Sequence, residues 1–250
     1  MKNLATGTDR ELYSQNNYGE PMIGHDCYIY SVADVILSTP TPLVWTAQRT
    51  IERFNPDTGL SQTVFSETVS STDYTPLSIL AQDPSNLDLL LARESASKSD
   101  LVRLVPQTGV VTPIGPLPGT LPAGTRDAKK LYFLQTGGSS SIGGLSEFDV
   151  GSAATRLRCP GASDVRPTVS PGGTKATMWI STTQQLLCNL SSGEKYSNPG
   201  RVIGWSPDNV PLVLADDQVS VQVARPAGLE TVLRSADPDV RLIISVLYGP

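Results

Sequence analysis

Apolar positions come in short runs broken by turn residues, and this pattern recurs. "PTVSPGGTKATMWIS" (167–181) reads as strand, tight turn and strand, with Pro171, Gly172 and Gly173 at the turn and Met178, Trp179 and Ile180 behind it. Four other stretches share the form: "VILSTPTPLVWTA" (35–47), "SILAQDPSNLDLLLAR" (78–93), "AGTRDAKKLYFLQ" (123–135) and "VIGWSPDNVPLVLAD" (202–216). Taking Pro40, Pro84, Asp127, Pro171 and Pro207 as turn markers gives spacings of 44, 43, 44 and 36 residues. A second marker, a small-residue turn at Gly59, Gly109, Gly151, Gly193 and Gly228, follows each first one by 19 to 25 residues. Glycine there lets the backbone take a positive φ and reverse tightly. Each unit is thus predicted to hold two hairpin turns and four strands, a to d.

The second strand of each unit is apolar at successive positions: Leu43–Trp45, Leu89–Leu91, Leu131–Phe133, Met178–Ile180 and Leu212–Leu214. Such runs suit strands covered on both faces. A lone four-stranded sheet buries too little to stand alone, and stacking sheets around an axis buries both faces. The pattern predicts an all-β chain, a β-propeller of about five four-stranded blades. Terminal strands, "CYIYSV" (27–32) and "DVRLIISVLYG" (239–249), would close the ring; a six-bladed ring is the alternative. Residues 1–26 are polar and read as an N-terminal arm, with the propeller over 27–250.

"PTVSPGGTKATMWIS" and "IGWSPDNVPLVLA" resemble the P-x-x-S-P-D-G hairpin of TolB-like and related WD40-like propellers. The resemblance spans residues 35–235 as a pattern. It implies a fold and no single activity, because propellers host many functions.

Charge narrows the partners. Charged residues are 17% of the chain, the net charge is −5, and no basic run exceeds Lys129-Lys130. A nucleic-acid surface needs clustered Lys and Arg, so none is expected. No stretch is long and apolar enough for a membrane span, and no signal peptide is visible at the N-terminus. The compartment is open: periplasmic or extracellular for a processed chain, cytoplasmic otherwise. Three cysteines are too few for a disulfide framework, and none lies in C-x-x-C.

Propeller sites usually lie where the b–c loops gather. Those loops are expected near Gln48-Arg49, Arg93–Lys98, 136–144, Thr182-Thr183 and Asp216-Asp217. The binding candidates are Arg93, Glu94, Lys98, Ser139, Ser140, Asp216 and Asp217. A carboxylate cluster of Glu94 with Asp216-Asp217 would suit glycoside hydrolysis, but adjacent aspartates are more often a solvated turn. The single His25 cannot build a histidine metal site, and no G-x-S-x-G elbow accompanies it. No catalytic residue, metal site or cofactor is therefore expected. The preferred reading is a non-catalytic protein–protein interaction or scaffold module within a larger assembly. A carbohydrate-binding or glycoside-hydrolysing propeller is second, weakened because Trp45, Trp179 and Trp205 sit in core-strand patterns.

Overall fold

The structure, a computed structural model, describes residues 21–41, 44–94, 99–117, 119–125, 127–135, 143–161, 167–179, 185–197, 200–206, 208–215, 220–225 and 228–234. The described residues contain strands and turns and no helix. Five antiparallel sheets follow one another along the chain. The first is β1 (Met22–Ile23), β2 (Ile29–Thr41), β3 (Val44–Phe54) and β4 (Ser61–Ser70). The second is β5 (Leu77–Gln82), β6 (Leu89–Glu94), β7 (Ser99–Val105) and β8 (Val110–Leu117). The third is β9 (Thr120–Gly124), β10 (Lys130–Gln135), β11 (Gly144–Asp149) and β12 (Thr155–Pro160). The fourth has β13 (Lys175–Trp179), β14 (Gln185–Asn189) and β15 (Lys195–Ser197), with its first position held by a bridge from Val169 to Ala176. The fifth is β16 (Arg201–Trp205), β17 (Pro211–Leu214), β18 (Ser220–Arg225) and β19 (Gly228–Arg234). Each sheet runs in chain order, the meander of a propeller blade.

The turns show how the repeat is written. In all five sheets the a–b turn places one residue at positive φ: Cys27 (65°), Leu87 (64°), Ala128 (55°), Gly173 (62°) and Asn209 (63°). The backbone sets this need, and five different residue types meet it. In the c–d turns, Asn55, Asp149 and Asn189 accept backbone N–H bonds from residues two or three ahead. These Asx turns steer the chain into the reversal. In the third sheet the positive φ falls on Ala153 (54°), not on the expected Gly151.

The first sheet departs from the expected phase. The repeat spacing predicts the a–b turn at Pro40 and strand b at Leu43–Trp45. In the structure Pro40 lies in β2, the second strand, and Val44 and Trp45 open β3, the third. The a–b turn of this sheet is Gly24-His25-Asp26-Cys27, closed by Gly24 N donating to Tyr28 O. Met22 and Ile23, within the stretch read as an arm, pair with Tyr30 and Ile29. Residues 239–249, assigned to closing the ring, lie outside the described residues.

Two compact units divide the chain, the first holding β1–β4 and most of β5–β8, the second the remaining three sheets. In the first, Tyr30, Val32, Ile51 and Val64 pack against Leu77, Leu89, Leu91, Val102 and Leu104 of the following sheet. Gln82 locks the two: its Oε1 accepts from His25 N at 2.5 Å and its Nε2 donates to Leu87 O at 3.0 Å. In the second unit, Tyr132, Leu134 and Leu145 meet Ala176, Met178 and Leu190. Leu187 meets Val202, Trp205 and Val213 at the next junction. There Gln185 bonds both the N–H and the carbonyl of Val202, as a neighbouring strand would.

Cysteine pairing differs from the expectation. Cys159 of β12 and Cys188 of β14, both fully buried, form a disulfide between consecutive sheets, 29 residues apart in sequence. Only tertiary packing brings them together, so no local spacing announces the bond. Cys27 is free and exposed. Of the three tryptophans, Trp205 is buried in the core, while Trp45 and Trp179 are half-buried.

Candidate functional site: the long hairpin of the first sheet

The second strands of the later sheets hold 6, 6, 5 and 4 residues, whereas β2 holds 13 and its partner β3 holds 11. The excess makes a hairpin over residues 35–48, "VILSTPTPLVWTAQ", which carries no charged residue. Val35, Ile36 and Leu37 are 58%, 64% and 58% exposed, and Val44 is 48% exposed. Alternating side chains point to opposite faces of a strand. Val35 and Ile36 are consecutive and regularly paired, so their joint exposure means that β2 is uncovered on both faces here. Ser38 and Thr46 join the strands near the tip through their hydroxyls, 2.8 Å apart.

A row of charges clamps the base of this hairpin. Register places Asp34 opposite Arg49, and Arg49 opposite Glu67. Arg49 is fully buried. Its Nε and Nη2 donate to the two Asp34 carboxylate oxygens at 2.9 and 3.0 Å, and its Nη1 donates to Thr75 O at 2.9 Å. Arg93 completes the row, donating from Nη1 and Nη2 to Glu67 at 2.8 and 2.7 Å. Tyr74 donates its hydroxyl to Asp34 and lies beneath the Arg49 guanidinium, 4.9 Å from ring centre to Cζ. Trp45 packs edge-on against Tyr74 at 5.2 Å. Burial opposes the charge of Arg49, but Asp34 outweighs it and holds the guanidinium above its ordinary value. Burial, then the bond to Asp34, raises the Tyr74 phenol.

A second charged cluster lies in the third sheet. Glu147 is buried and receives Arg158 Nε and Nη2 at 3.1 and 2.8 Å, Tyr132 Oη at 2.8 Å and Lys130 Nζ at 3.5 Å. Burial would raise the Glu147 carboxyl, yet Arg158 and Tyr132 prevail and hold it below the ordinary carboxylate range. Burial, then the bond to Glu147, pushes Tyr132 well above the ordinary phenol value. An acid catalyst needs a carboxyl held protonated. Glu147, held ionised by its donors, is the opposite. Asp34 and Glu67 are each gripped by a bidentate arginine.

The sequence candidates fare differently. Arg93 lies near the end of β6, in the charged row. Glu94, the last residue of β6, is buried at 8% exposure. Gln48 and Arg49, expected in a b–c loop, are interior residues of β3, which begins at Val44. Lys98, Ser139, Ser140, Asp216 and Asp217, with Thr182-Thr183, lie outside the described residues. Sequence reading missed Asp34 and Glu67 because only strand register aligns them with Arg49, and Tyr74 because it reaches them from the connection between β4 and β5. The usable signal was the length of the uncharged run. Among the described residues, no three of His, Cys, Asp and Glu gather as a metal-holding group. No described helix is long and apolar enough to cross a membrane.

No family model and no curated protein sequence matches the chain. Solved structures do match its fold. TolB from Acinetobacter baumannii aligns over 90% of this chain with a TM-score of 0.63 and 15% identity. This chain spans 56% of the length of that protein. An oligogalacturonate lyase in complex with manganese aligns over 86% of this chain and 67% of its own, with a TM-score of 0.58 and 12% identity. The β-propeller domain of the trilobed protease from Pyrococcus furiosus, described as having an open velcro topology, aligns over 88% of this chain and 71% of its own, with a TM-score of 0.52 and 9% identity. Identities this low speak for fold alone. With the repeated four-stranded sheets, they make the chain an all-β protein of β-propeller fold, similar to TolB-like propellers.

Proposed function

We propose that this chain is a non-catalytic interaction module, a propeller subunit of a protein assembly, and that the long hairpin of its first sheet meets the partner. One observation carries the reading: Val35, Ile36, Leu37 and Val44 stand exposed together on an uncharged protrusion whose base is clamped by ion pairs around the buried Arg49. Exposed apolar residues gathered in one place mark contact surfaces on soluble proteins. The rigid base lets the hairpin be presented with little ordering cost on binding.

Carbohydrate chemistry has less support. The carboxylates of both charged clusters are spent in ion pairs. Trp45 packs on Tyr74, and Trp179 lies under the Arg201 guanidinium at 5.8 Å. In this reading Arg93 serves the hairpin base. Lys98, Ser139, Ser140, Asp216 and Asp217 are proposed as further loop contacts for the partner, whereas the buried Glu94 is not. A disulfide in the core fits folding in an oxidising compartment, periplasmic or extracellular.

A photo-crosslinking residue placed at Leu37 in the producing cell tests this. Covalent protein adducts of reproducible mass are expected there and not at Leu60, which is 70% exposed on a c–d turn. Equal labelling at both sites, or none at Leu37, rejects the hairpin as the contact.

A further inference from the structure

We propose that Asn189, at the c–d turn of the fourth sheet, is an acceptor for an N-linked glycan. Asn189-Leu190-Ser191 is an Asn-x-Ser triplet with no proline in the middle, and the sequence holds no other triplet of this kind. It spans the end of β14 and the turn into β15. Asn189 is half-buried, while Ser191, Ser192 and Glu194 around it are exposed. The turn uses one atom of the Asn189 amide. Its Oδ1 accepts from Ser191 N at 3.0 Å, Ser191 Oγ at 2.7 Å and Ser192 N at 3.2 Å. Its Nδ2 donates to none of the described residues, and it opens to solvent. A sugar joined to Nδ2 therefore leaves every bond of the turn in place.

Sister turns show that the reversal does not itself require asparagine. In the third sheet Asp149 Oδ1 accepts from Ser152 N and Ser152 Oγ, both at 2.8 Å, so a carboxylate serves as well. In the first sheet Asn55 spends its Nδ2 on the Tyr28 hydroxyl at 3.4 Å, and Asp57 stands where the triplet needs a hydroxyl. Of these three turns, the fourth sheet's alone joins an unengaged amide to a hydroxyl two residues on. The preceding residue, Cys188, is bonded to Cys159. Disulfides persist in the oxidising compartments of secreted proteins, where Asn-x-Ser triplets on surface turns are modified. In the transfer, Nδ2 attacks the anomeric carbon of an oligosaccharide carried on a lipid pyrophosphate. The N–C bond forms, the bond from that carbon to the pyrophosphate oxygen breaks, and the lipid pyrophosphate leaves with the electron pair. Nδ2 gives up one proton, and no oxidant or reductant takes part.

The full chain is purified from its producing cells, and the peptide holding Asn189 is weighed before and after peptide N-glycosidase treatment in heavy-oxygen water. The untreated peptide should carry the mass of a hexose and N-acetylhexosamine chain. Treatment should remove that mass and leave an oxygen-labelled aspartate at residue 189. Ser191→Ala and Asn189→Asp should both lose the glycan, and Ser191→Thr should keep it. Asn189→Asp should melt as the enzymatically deglycosylated parent does, since the Asp149 turn already works with a carboxylate. The two Ser191 variants change an exposed side chain and decide the matter even if Asn189→Asp folds poorly. Asn189 found only unmodified in protein from those cells overturns the proposal, as does a glycan that survives Ser191→Ala. Crosslinking at Leu37 is independent of either result, so the interaction reading stands or falls separately.

Discussion

At the scale of the residue, backbone conformation outranks side-chain identity in the turns. Ala153 holds a φ of 54° and is exposed, so its methyl adds strain and little packing. The left-handed conformation costs an L-residue roughly 1–2 kcal/mol, partly offset by the extra freedom that glycine has when unfolded. Ala153→Gly should therefore stabilise the protein by about 0.5–1 kcal/mol in urea titration, the reverse of the usual effect of this change. A loss of stability would mean that the turn is not left-handed at Ala153. Among the three tryptophans, burial singles out Trp205, whose indole N–H donates to Thr168 and whose ring meets Leu187, Val202 and Val213. Trp205→Ala should cost about 3–5 kcal/mol. The half-buried Trp179, which sequence alone places beside it in the core, should cost less than half as much. Equal losses in the same titration would contradict the burial difference.

At the scale of the element, strands join into sheets by register, and sheets join to one another by side chains that reach across. The disulfide from β12 to β14 is the covalent case. Closing a loop of this length removes unfolded-state entropy equivalent to roughly 3–4 kcal/mol. Reduction, or Cys159→Ser with Cys188→Ser, should lower the unfolding free energy by about that amount, with the serine pair losing somewhat more by burying hydroxyls. Denaturant curves with and without reductant measure this, and coincident curves would show that the bond does not form. Glu147 is the polar counterpart. Glu147→Gln strips Arg158 of a buried partner and should cost about 2–3 kcal/mol.

For the molecule as a whole, these buried groups set the pH limits of stability. Tyr30 and Tyr132 are fully buried, and burial with their carboxylate partners Asp26 and Glu147 keeps both phenols protonated above the ordinary value of 10.0. An unfolded chain releases those protons near 10.0, so the folded state binds more protons above that pH. Stability is full below 10.0 and falls as pH rises beyond it. Glu147 sets the acid limb with opposite sign. Its carboxyl is held below 4.5, so its contribution is full above that value and is lost as pH drops through the lowered one. Urea midpoints measured across pH should fall at both ends, and Glu147→Gln should flatten the acid limb. Absorbance titration should show Tyr30 and Tyr132 ionising only as the fold opens. Smooth ionisation of all eight tyrosines near 10 without unfolding would rule this out.

Sequence by itself determined the strand-and-turn repeat, because turn chemistry and apolar runs are local. Pro84, Asp127 and Pro171 all lie in a–b turns, and Leu89–Leu91 and Leu131–Phe133 are buried second-strand segments. It misplaced the first unit because "GHDC" makes the same turn without proline or a glycine at the left-handed position, while Pro40 sits in a strand long enough to absorb it. Tertiary structure alone decided the rest. The Asp34–Arg49–Glu67–Arg93 row, the Cys159–Cys188 bond and the Glu147 cluster each join residues far apart in sequence, and pairing register or sheet packing sets their distances. The exposed edge of β2 belongs there too. "VIL" in a strand reads as core, and only the extension of β2 and β3 beyond β1 leaves those side chains in solvent.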